Sequence, residues 1–217
     1  FCPITPEFNE AYPNVTVELT MENSPILREK LLSDNLDLAI GLFDTPPVEL
    51  NHKLLYKDQC YLCISERLLD KYFSQTTKEI LKKRNIQGVD LKSFEELPIF
   101  LMNSANHIGH IIQQLFLESG IKPDLYMSTK SDSLGPPLCS AGVAASFITH
   151  SRLLFEWNTI ASDINIFPVM FHKSPLYFDL YLISPQNSRF PKYQLYFTKL
   201  ILNYVQRLNL NPLSRII

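Results

Sequence analysis

Two kinds of hydrophobic spacing alternate along the chain. Residues 15–21 (VTVELTM) have an apolar side chain at every second position, which predicts a β-strand. The segment after it predicts a helix over residues 25–32, with Ser24 as its N-cap residue. Residues 36–42 (LDLAIGL) are nearly all apolar, as in a strand that helices cover on both faces. Together these segments predict a β-α-β unit.

The same alternation continues to the end of the chain. Further strands are predicted at residues 52–56, 59–64, 99–102, 125–130, 143–148 and 177–184. Further helices are predicted at residues 66–73, 108–119 and 131–141, and after Pro191. Pro136 and Pro137 should break or delay the first turn of the third of these helices. Strands that alternate with helices predict a parallel or mixed α/β sheet, in one sheet or two.

Residues 74–92 are polar and resemble an insertion that carries one short exposed helix. Directly after them, Ser93 and Glu96 have the spacing of a helix capping box.

Composition narrows the possible functions. Hydrophobic residues make up 46% and charged residues 19%, which is typical of an ordinary globular protein, and the net charge is -2. Non-specific DNA binding depends on cationic side chains that neutralise phosphates, so this chain alone should not bind DNA tightly. The six glycines form neither GxGxxG nor GxxxxGK[ST], which excludes those two nucleotide-binding motifs. No apolar run approaches the roughly 18 residues that span a bilayer.

The four cysteines raise the possibility of a redox or zinc-binding pair. Cys60 and Cys63 form a CxxC, but they lie in the apolar, β-prone run QCYLCI. Side chains three apart on a strand point to opposite faces, so buried thiols are favoured over a redox or zinc pair. Unpaired cysteines fit a reducing cytoplasm.

Metal binding and catalysis find little support in the sequence. His107 and His110 could share a helix face, but no cysteine or carboxylate nearby completes a metal-ligand set. The sequence contains no GxSxG, and its five histidines have no partner in a recognisable catalytic motif. We therefore predict no cofactor and no enzyme activity.

The ordered motifs resemble a known family. FNEAYPNVTVELTMENSPILREKLLSDNLDLAIGLF is similar to the start of the effector-binding domain of LysR-type transcriptional regulators. YLCISERLL, FEELPIFLM, FLESGIKPDLYMSTKSDSL and LCSAGVAASFIT resemble later segments of that domain, in the same order. The chain departs from the family pattern at Ala144, where a glycine is usual, at Thr149, where a proline is usual, and in the pair Pro136 and Pro137.

The resemblance implies an α/β fold of the periplasmic-binding-protein type 2, in which two crossover strands join two lobes. Lobe I would comprise residues 1–65 and 168–217, and lobe II residues 66–167. The family's first strand and its DNA-binding winged helix-turn-helix would precede Phe1, so DNA would be bound only through that missing domain. The resemblance also implies a cytoplasmic homodimer or homotetramer with no membrane contact. The helices at residues 25–32 and 108–119 would meet across its interface, with Arg28, Gln113 and Leu117 as candidate contacts.

A small molecule, expected to be anionic, would bind between the lobes. Ser24 matches the Ser or Thr that commonly touches the effector in the family, although it could simply cap its helix. The other residues are candidates because they follow predicted strands, and ligands of open α/β sheets bind at the carboxyl ends of strands. The candidate effector contacts are Ser24, Phe43, Asn103, Ser104, Asn106, Thr149 and His150. A solute-binding protein of a transport system, which has the same fold, is the alternative. A lyase or dehydratase on this fold would need a catalytic residue that the sequence does not reveal.

Overall fold

The computed structural model describes residues 3–43, 45–84, 88, 90–156, 160, 163–186 and 190–209. The helices are α1 (Thr5–Ala11), α2 (Ser24–Leu32), α3 (Glu66–Tyr72), α4 (Gln75–Arg84), α5 (His107–Glu118), α6 (Gly135–Ser140), α7 (His150–Glu156) and α8 (Lys192–Asn209). The strands are β1 (Ala39–Leu42), β2 (Leu50–Ser65), β3 (Pro98–Met102), β4 (Asp124–Thr129), β5 (Ala145–Thr149), β6 (Ile164–Pro168), β7 (Met170–Phe171), β8 (Ser174–Pro175) and β9 (Tyr177–Pro185).

Contacts within the chain divide it into two units. Unit 1 contains both chain ends, Phe1–Lys57 and Asp179–Ile217, and unit 2 is the continuous segment Asp58–Phe178. The chain passes from one unit to the other within β2 and again within β9. The functional lobes predicted from the resemblance, with boundaries at residues 65 and 168, stay a prediction.

Unit 1 packs helices on an antiparallel strand pair. β1 pairs with β9, with Ala39 opposite Ile183. Leu27 and Leu31 of α2 lie in one hydrophobic cluster with β1 and β9, because they occupy the buried face of the helix. A second cluster joins α1 to α8, where the rings of Phe8 and Phe197 meet edge to face at 4.9 Å.

Unit 2 is built around three parallel strands. β3 pairs with β4 on one edge and with β5 on the other, both in parallel. β2 lies antiparallel to both β5 and β6. All five residues of β3 are buried, as expected for a strand inside a sheet whose faces are covered. α5 contributes Ile112, Leu115 and Phe116 to the core, which are three of the residues in its predicted apolar stripe.

The predicted strand at residues 15–21 is wrong. Nothing in the described part of the chain pairs with this segment as a strand. Val15 is half-buried, but Val17, Leu19 and Met21 are exposed, from 40% for Val17 to 97% for Met21. Alternation of apolar residues can stabilise a strand only when a neighbouring strand supplies the hydrogen bonds of a ladder.

Other strand boundaries also differ from the prediction. The predicted strands at residues 52–56 and 59–64 are one continuous strand, β2, because Lys57 and Asp58 keep the extended backbone. The predicted strand at residues 36–42 is limited to β1, where pairing with β9 begins at Ala39.

Three helix N-termini can be compared with the predicted ones, and each depends on one or two residues. Asn23, not Ser24, is the N-cap of α2, because the Asn23 Oδ1 accepts a hydrogen bond from the Ile26 N–H at 3.3 Å. The predicted capping box of Ser93 and Glu96 is also wrong, since Asp90 caps a 3-10 turn over Leu91–Phe94. α6 starts only at Gly135, consistent with the expected delay at the two prolines.

The polar segment after α3 is better anchored than an exposed insertion would be. α4 forms as predicted, but its Lys78 is buried and pairs with Asp70 of α3 and with Glu66 at 3.6 Å. Residues 85–87 and 89 of this segment lie outside the described residues.

The described cysteines are buried free thiols. Cys60 and Cys63 lie on β2, and Cys139 lies on α6. Burial raises the pKa of each thiol, for Cys139 to about 12. These cysteines are therefore protonated at neutral pH and poorly nucleophilic. Cys2 lies outside the described residues.

Candidate functional site

The carboxyl ends of three strands meet at one edge of unit 2. β4, β3 and β5 run parallel, so the loops that follow them leave from the same edge. Met102 is opposite Thr129 in the ladder, and the Asn103 N–H donates to the Thr129 carbonyl at 2.7 Å. The loop after β3 is therefore tied to the end of β4 at its first residue.

Asn106 orders the loop between β3 and α5. The Asn106 Oδ1 accepts hydrogen bonds from the Ile108 N–H at 2.9 Å and the Gly109 N–H at 3.3 Å, which caps the helix. The Asn103 side chain closes a turn by accepting from the Ala105 N–H at 3.2 Å. Within the described residues, neither the Asn103 Nδ2 nor the Ser104 Oγ donates a hydrogen bond. Two side-chain donors are thus available at the N-terminus of a 12-residue helix.

Gly109 brings this helix close to the strand end. A Cβ atom at Gly109 would lie 2.4 Å from the carbonyl oxygens of both Met102 and Asn103, so only glycine fits here without a shift of the backbone. The Gln113 Nε2 also donates to the Met102 carbonyl at 3.3 Å, one turn further along the helix. These contacts fix the position of the donors in the loop.

Hydroxyl groups cluster at the end of β4. The Thr129 Oγ1 donates to the Ser131 carbonyl at 2.5 Å, and the Ser131 Oγ donates to the Ser133 Oγ at 3.1 Å. None of these residues is among the site residues predicted from the sequence. The polar run STKSDS directly after an apolar stretch is the signal that could have identified them.

A buried carboxylate lies beyond the end of β5. Asp58 of β2 is 4% exposed and accepts hydrogen bonds from the Ser151 N–H at 2.9 Å and the Ser151 Oγ at 2.5 Å. Burial raises the pKa of Asp58, although the hydrogen bonds from Ser151 and Thr149 and the charge of His150 oppose this shift. The carboxylate thus satisfies backbone and hydroxyl donors at the start of α7.

Asp58 changes the environment of two predicted effector contacts. Thr149 is 9% exposed, and its Oγ1 lies 3.4 Å from the Ser151 Oγ. The His150 ring approaches Tyr61 edge to face, with centroids 6.2 Å apart. Effector contacts by Thr149 and His150 stay a prediction. Asp58 and Ser151 were missed, and the only signal was a carboxylate inside a long β-prone run.

Ser24 and Phe43 lie together in unit 1. The Ser24 Oγ donates to the Leu42 carbonyl at 2.8 Å, which ties the first turn of α2 to the end of β1. The Phe43 ring lies over Gly41, where a Cβ atom would come within 2.7 Å of the Phe43 Cε2, and packs against the cluster around Leu27 and Leu31. Both residues therefore have structural roles, and their contact with an effector stays a prediction.

Two negative findings concern the described residues only. No group of three or more His, Cys, Asp and Glu side chains among them is arranged to hold a metal ion, including the region of His107 and His110. None of the helices in the described part of the chain has the length and apolar character needed to cross a membrane.

Comparison with known proteins identifies relatives of the same fold. The family model for the LysR substrate binding domain matches residues 1–194. The BenM effector binding domain with its effector benzoate superposes with a TM-score of 0.69 at 16% identity, covering 98% of this chain and 88% of that chain. The CcmR regulatory domain of Synechocystis PCC6803, in complex with 2-PG, gives 0.72 at 13% identity, covering 94% and 90%.

The effector binding domain of QuiR in complex with shikimate gives a TM-score of 0.65 at 16% identity, covering 95% of this chain and 90% of that chain. Against full-length BenM the score is 0.69 at 16% identity, and this chain spans 63% of that protein. No curated protein matches the sequence. These likenesses confirm the predicted α/β fold of the periplasmic-binding-protein type 2. Because the family model covers most of the sequence, the chain belongs to the family of LysR substrate binding domains.

Proposed function

We propose that this chain is the effector-sensing part of a transcriptional regulator and that it binds a small carboxylate. The binding groups in unit 2 are the side-chain donors of Asn103 and Ser104, next to the N-terminus of α5. Asn106 positions these donors because it caps the helix and closes the loop. The chain binds its ligand without transforming it.

One observation carries this proposal: two side-chain donors without partners among the described residues lie at the start of a long helix. The N-terminus of a helix carries a partial positive charge and favours anions. Gly109 and Gln113 hold the helix against β3, so the donors are already in place before a ligand arrives. The structures of BenM with benzoate and QuiR with shikimate provide independent support, since both ligands are carboxylates.

The ligand signal would be passed to a DNA-binding domain elsewhere in the intact protein. Full-length CbnR, described as a LysR family transcriptional regulator, has been solved in complex with its target DNA, and this chain spans 66% of that protein. We place the intact regulator in the cytoplasm with its DNA. Ser24, Phe43, Thr149 and His150 remain proposed further contacts of the effector.

Self-association through α2 and α5 is part of the same proposal. Of the three candidate contact residues, Arg28 pairs with Glu49 at 2.5 Å, and Gln113 bonds to the Met102 carbonyl within unit 2. Leu117 is 81% exposed on α5 and is the strongest candidate. Leu117→Ser should shift the sedimentation coefficient of the chain toward that of a monomer at tens of micromolar, and an unchanged coefficient would argue against this interface.

Calorimetric titration with benzoate, shikimate and other small carboxylates tests the binding proposal. A hydrogen bond to a charged group is worth about 1.5–3 kcal/mol, so Asn103→Ala and Ser104→Ala should each weaken binding by roughly tenfold or more. Thr76→Val is the matched control, because Thr76 is an exposed residue of α4 in the same unit. Equal affinity in all three variants would contradict the proposed site.

A further inference from the structure

Unit 2 contains a groove at the end of α5 that is opposite to the proposed carboxylate site. The last turn of α5 and the β7–β8 hairpin line it, together with Asp90, and all of these residues belong to unit 2. Its volume is about 430 Å³, within the range of roughly 300–1,000 Å³ that is typical of small-molecule sites. A helix rises about 1.5 Å per residue, so the 12 residues of α5 place the groove roughly 18 Å from Asn103 and Ser104. The groove is therefore a separate cavity.

Three of the side chains that line the groove are apolar. Leu115 of α5 is buried, and Met170 and Phe171 of β7 are half-buried. A Cβ atom at Gly88 would overlap the Met170 side chain, and Gly88 has a left-handed backbone with a φ of 79°, so only glycine fits here. The loop that leads to Asp90 is thus packed directly against Met170.

The hairpin that forms one side of the groove is anchored at its base. The Val169 N–H donates to the Cys60 carbonyl at 3.0 Å, and the Leu176 N–H donates to the Val169 carbonyl at 2.8 Å. Val169 and Leu176 are both buried, and Met170 pairs with Pro175 inside the hairpin. This side of the groove is therefore in place before a ligand arrives, which lowers the entropic cost of binding.

The turn of the hairpin brings a cationic side chain to the groove. His172 and Lys173 are its two central residues, with left-handed φ values of 48° and 66°. Asparagine and glycine are preferred at both positions of such a turn, so His172 and Lys173 are kept there in spite of an unfavourable backbone. The His172 ring stacks on the Phe171 ring, with centroids 4.0 Å apart. Within the described residues, Lys173 forms no ion pair, and its ammonium group is available to a ligand.

Negative charge lines the same groove. Asp90 and Glu118 both contribute carboxylates, and the C-terminus of α5 adds the partial negative charge of a helix end. The Asp90 Oδ1 accepts from the Lys92 N–H at 3.0 Å, which leaves its Oδ2 without a donor in the described part of the chain. The Glu118 Oε2 lies 3.6 Å from the His172 Nε2, which is too long for a hydrogen bond. Both carboxylates thus keep acceptor atoms for a ligand.

We propose that this groove is a second ligand site, and that it binds an α-amino acid with a large apolar side chain. The ammonium group of the ligand pairs with Asp90 and Glu118, and its carboxylate pairs with Lys173. Its side chain packs on the three apolar side chains of the groove. A ligand with positive charge alone would leave Lys173 without a partner, and an anion would leave both carboxylates without one. A zwitterion complements the whole groove.

Calorimetric titration of the 217-residue chain with L-leucine, L-methionine and L-phenylalanine tests the class of ligand. At least one of the three should bind one to one, with a dissociation constant below about 1 mM. The matched probes are the analogues of the tightest binder that lack its ammonium group or its carboxylate; for phenylalanine these are 3-phenylpropionate and phenethylamine. Each analogue should bind at least tenfold more weakly. Absence of saturable binding by all three amino acids, or equal affinity for an analogue, would overturn the proposal.

Variants at two exposed positions test the placement of the two charges. Lys173→Met should weaken amino-acid binding by about tenfold or more and leave the affinity for the analogue without a carboxylate unchanged. Glu118→Gln should weaken the binding of both. Lys83→Met and Glu96→Gln are the controls, because Lys83 and Glu96 are exposed residues of unit 2 that do not line the groove. Equal effects of the groove variants and their controls would contradict the site.

Asn103→Ala distinguishes the groove from the proposed carboxylate site, because an amino acid also carries a carboxylate. Amino-acid binding should be unchanged in Asn103→Ala, and binding of benzoate or shikimate should be unchanged in Lys173→Met. If Asn103→Ala weakens amino-acid binding and Lys173→Met does not, the amino acid occupies the first site and the proposal of a second site is wrong. The titration with benzoate and shikimate can fail while the groove binds its amino acid, so the two proposals fail separately.

Discussion

Residues 15–21 and the segment that contains β4 are both predicted as strands from the sequence, yet they have different structures. Residues 15–21 alternate apolar and polar side chains, whereas β4 has three apolar residues in a row, and both segments expose most of their apolar side chains, with Val17 at 40% and Leu125 and Tyr126 each at 52%. Yet β4 is a strand, because it pairs with β3 from Asp124 to Thr129. Residues 15–21 have no such partner among the described residues. The difference shows that a ladder of backbone hydrogen bonds, rather than burial of one face, decides which of the two predicted segments becomes a strand.

Breaking a ladder should have the largest effect on stability. Ser146 of β5 is opposite Cys63 of β2 and Phe100 of β3, so its backbone lies inside the sheet. Ser146→Pro should lower the free energy of unfolding by about 3 kcal/mol or more, because proline lacks the N–H and does not fit a central strand. Val17→Pro should cost less than about 1 kcal/mol, because no ladder is lost. Urea unfolding of both variants measures the difference.

Ser146→Ala is the control for the loss of the hydroxyl group. It keeps the backbone donor and should stay within about 1 kcal/mol of the wild-type chain. If Val17→Pro proved as damaging as Ser146→Pro, residues 15–21 would have to take part in a ladder in this chain, and the comparison would fail.

Asp58 extends the comparison, because its side chain, rather than a neighbouring strand, accepts the hydrogen bond of a backbone N–H group, that of Ser151. Asp58→Ala would leave the Ser151 N–H and Oγ without their acceptor, and should lower the free energy of unfolding by about 1–3 kcal/mol. Asp58→Asn keeps one acceptor oxygen and removes the buried charge, so it should cost less. Urea unfolding at pH 7 gives the ranking, and a larger loss in Asp58→Asn would refute this role.

Ser24 provides a similar contact of a side chain with a backbone carbonyl, at a more exposed position. Ser24→Ala removes the hydrogen bond to the Leu42 carbonyl and should lower the free energy of unfolding by about 0.5–1.5 kcal/mol. If Ser24 also contacts the effector, affinity should fall by roughly tenfold or more in the folded variant. Thermal unfolding and calorimetry separate the two effects, and unchanged affinity would leave Ser24 with its structural role alone.

Asp58 should also make the free energy of unfolding depend on pH, with a smaller effect than those of the substitutions above. The folded-state pKa of Asp58 is raised above its ordinary value of 3.8, so the folded chain binds more protons than the unfolded chain between these two values. The wild type should therefore lose stability relative to Asp58→Asn as the pH rises from about 4 through the raised pKa, and the difference should then level off. Urea unfolding at several pH values tests the sign. A gain of stability over the same range would contradict it.

The sequence was most informative where the signals were local. The apolar stripe of α5 and the delay of α6 at Pro136 follow from side-chain spacing and from the geometry of proline. Asn23 was missed as a cap because Ser24 and Pro25 have the same signature one residue later. Asparagine at position 23 and serine at position 24 are about equally favourable as N-cap residues, so the sequence alone does not choose between them.

Features that depend on distant residues could not be read from the sequence. The hydrogen bonds of Asp58 to Ser151 join residues 93 positions apart, and only the pairing of β2 with β5 brings them together. The failure of residues 15–21 to form a strand has the same origin, since partner strands cannot be inferred from alternation. Of the candidate site, the polar loop after β3 was predicted, and the hydroxyl groups after β4 were not.

Hydrogen–deuterium exchange of the 217-residue chain measures whether residues 15–21 and β4 differ in backbone hydrogen bonding, because it compares both segments in one experiment. We expect the amides of residues 16–21 to exchange at nearly the rate of an unfolded chain. The β4 amides that donate to β3 should exchange at least 100-fold more slowly than an unfolded chain. Equal protection of the two segments would contradict the claim that only the paired segment is a strand.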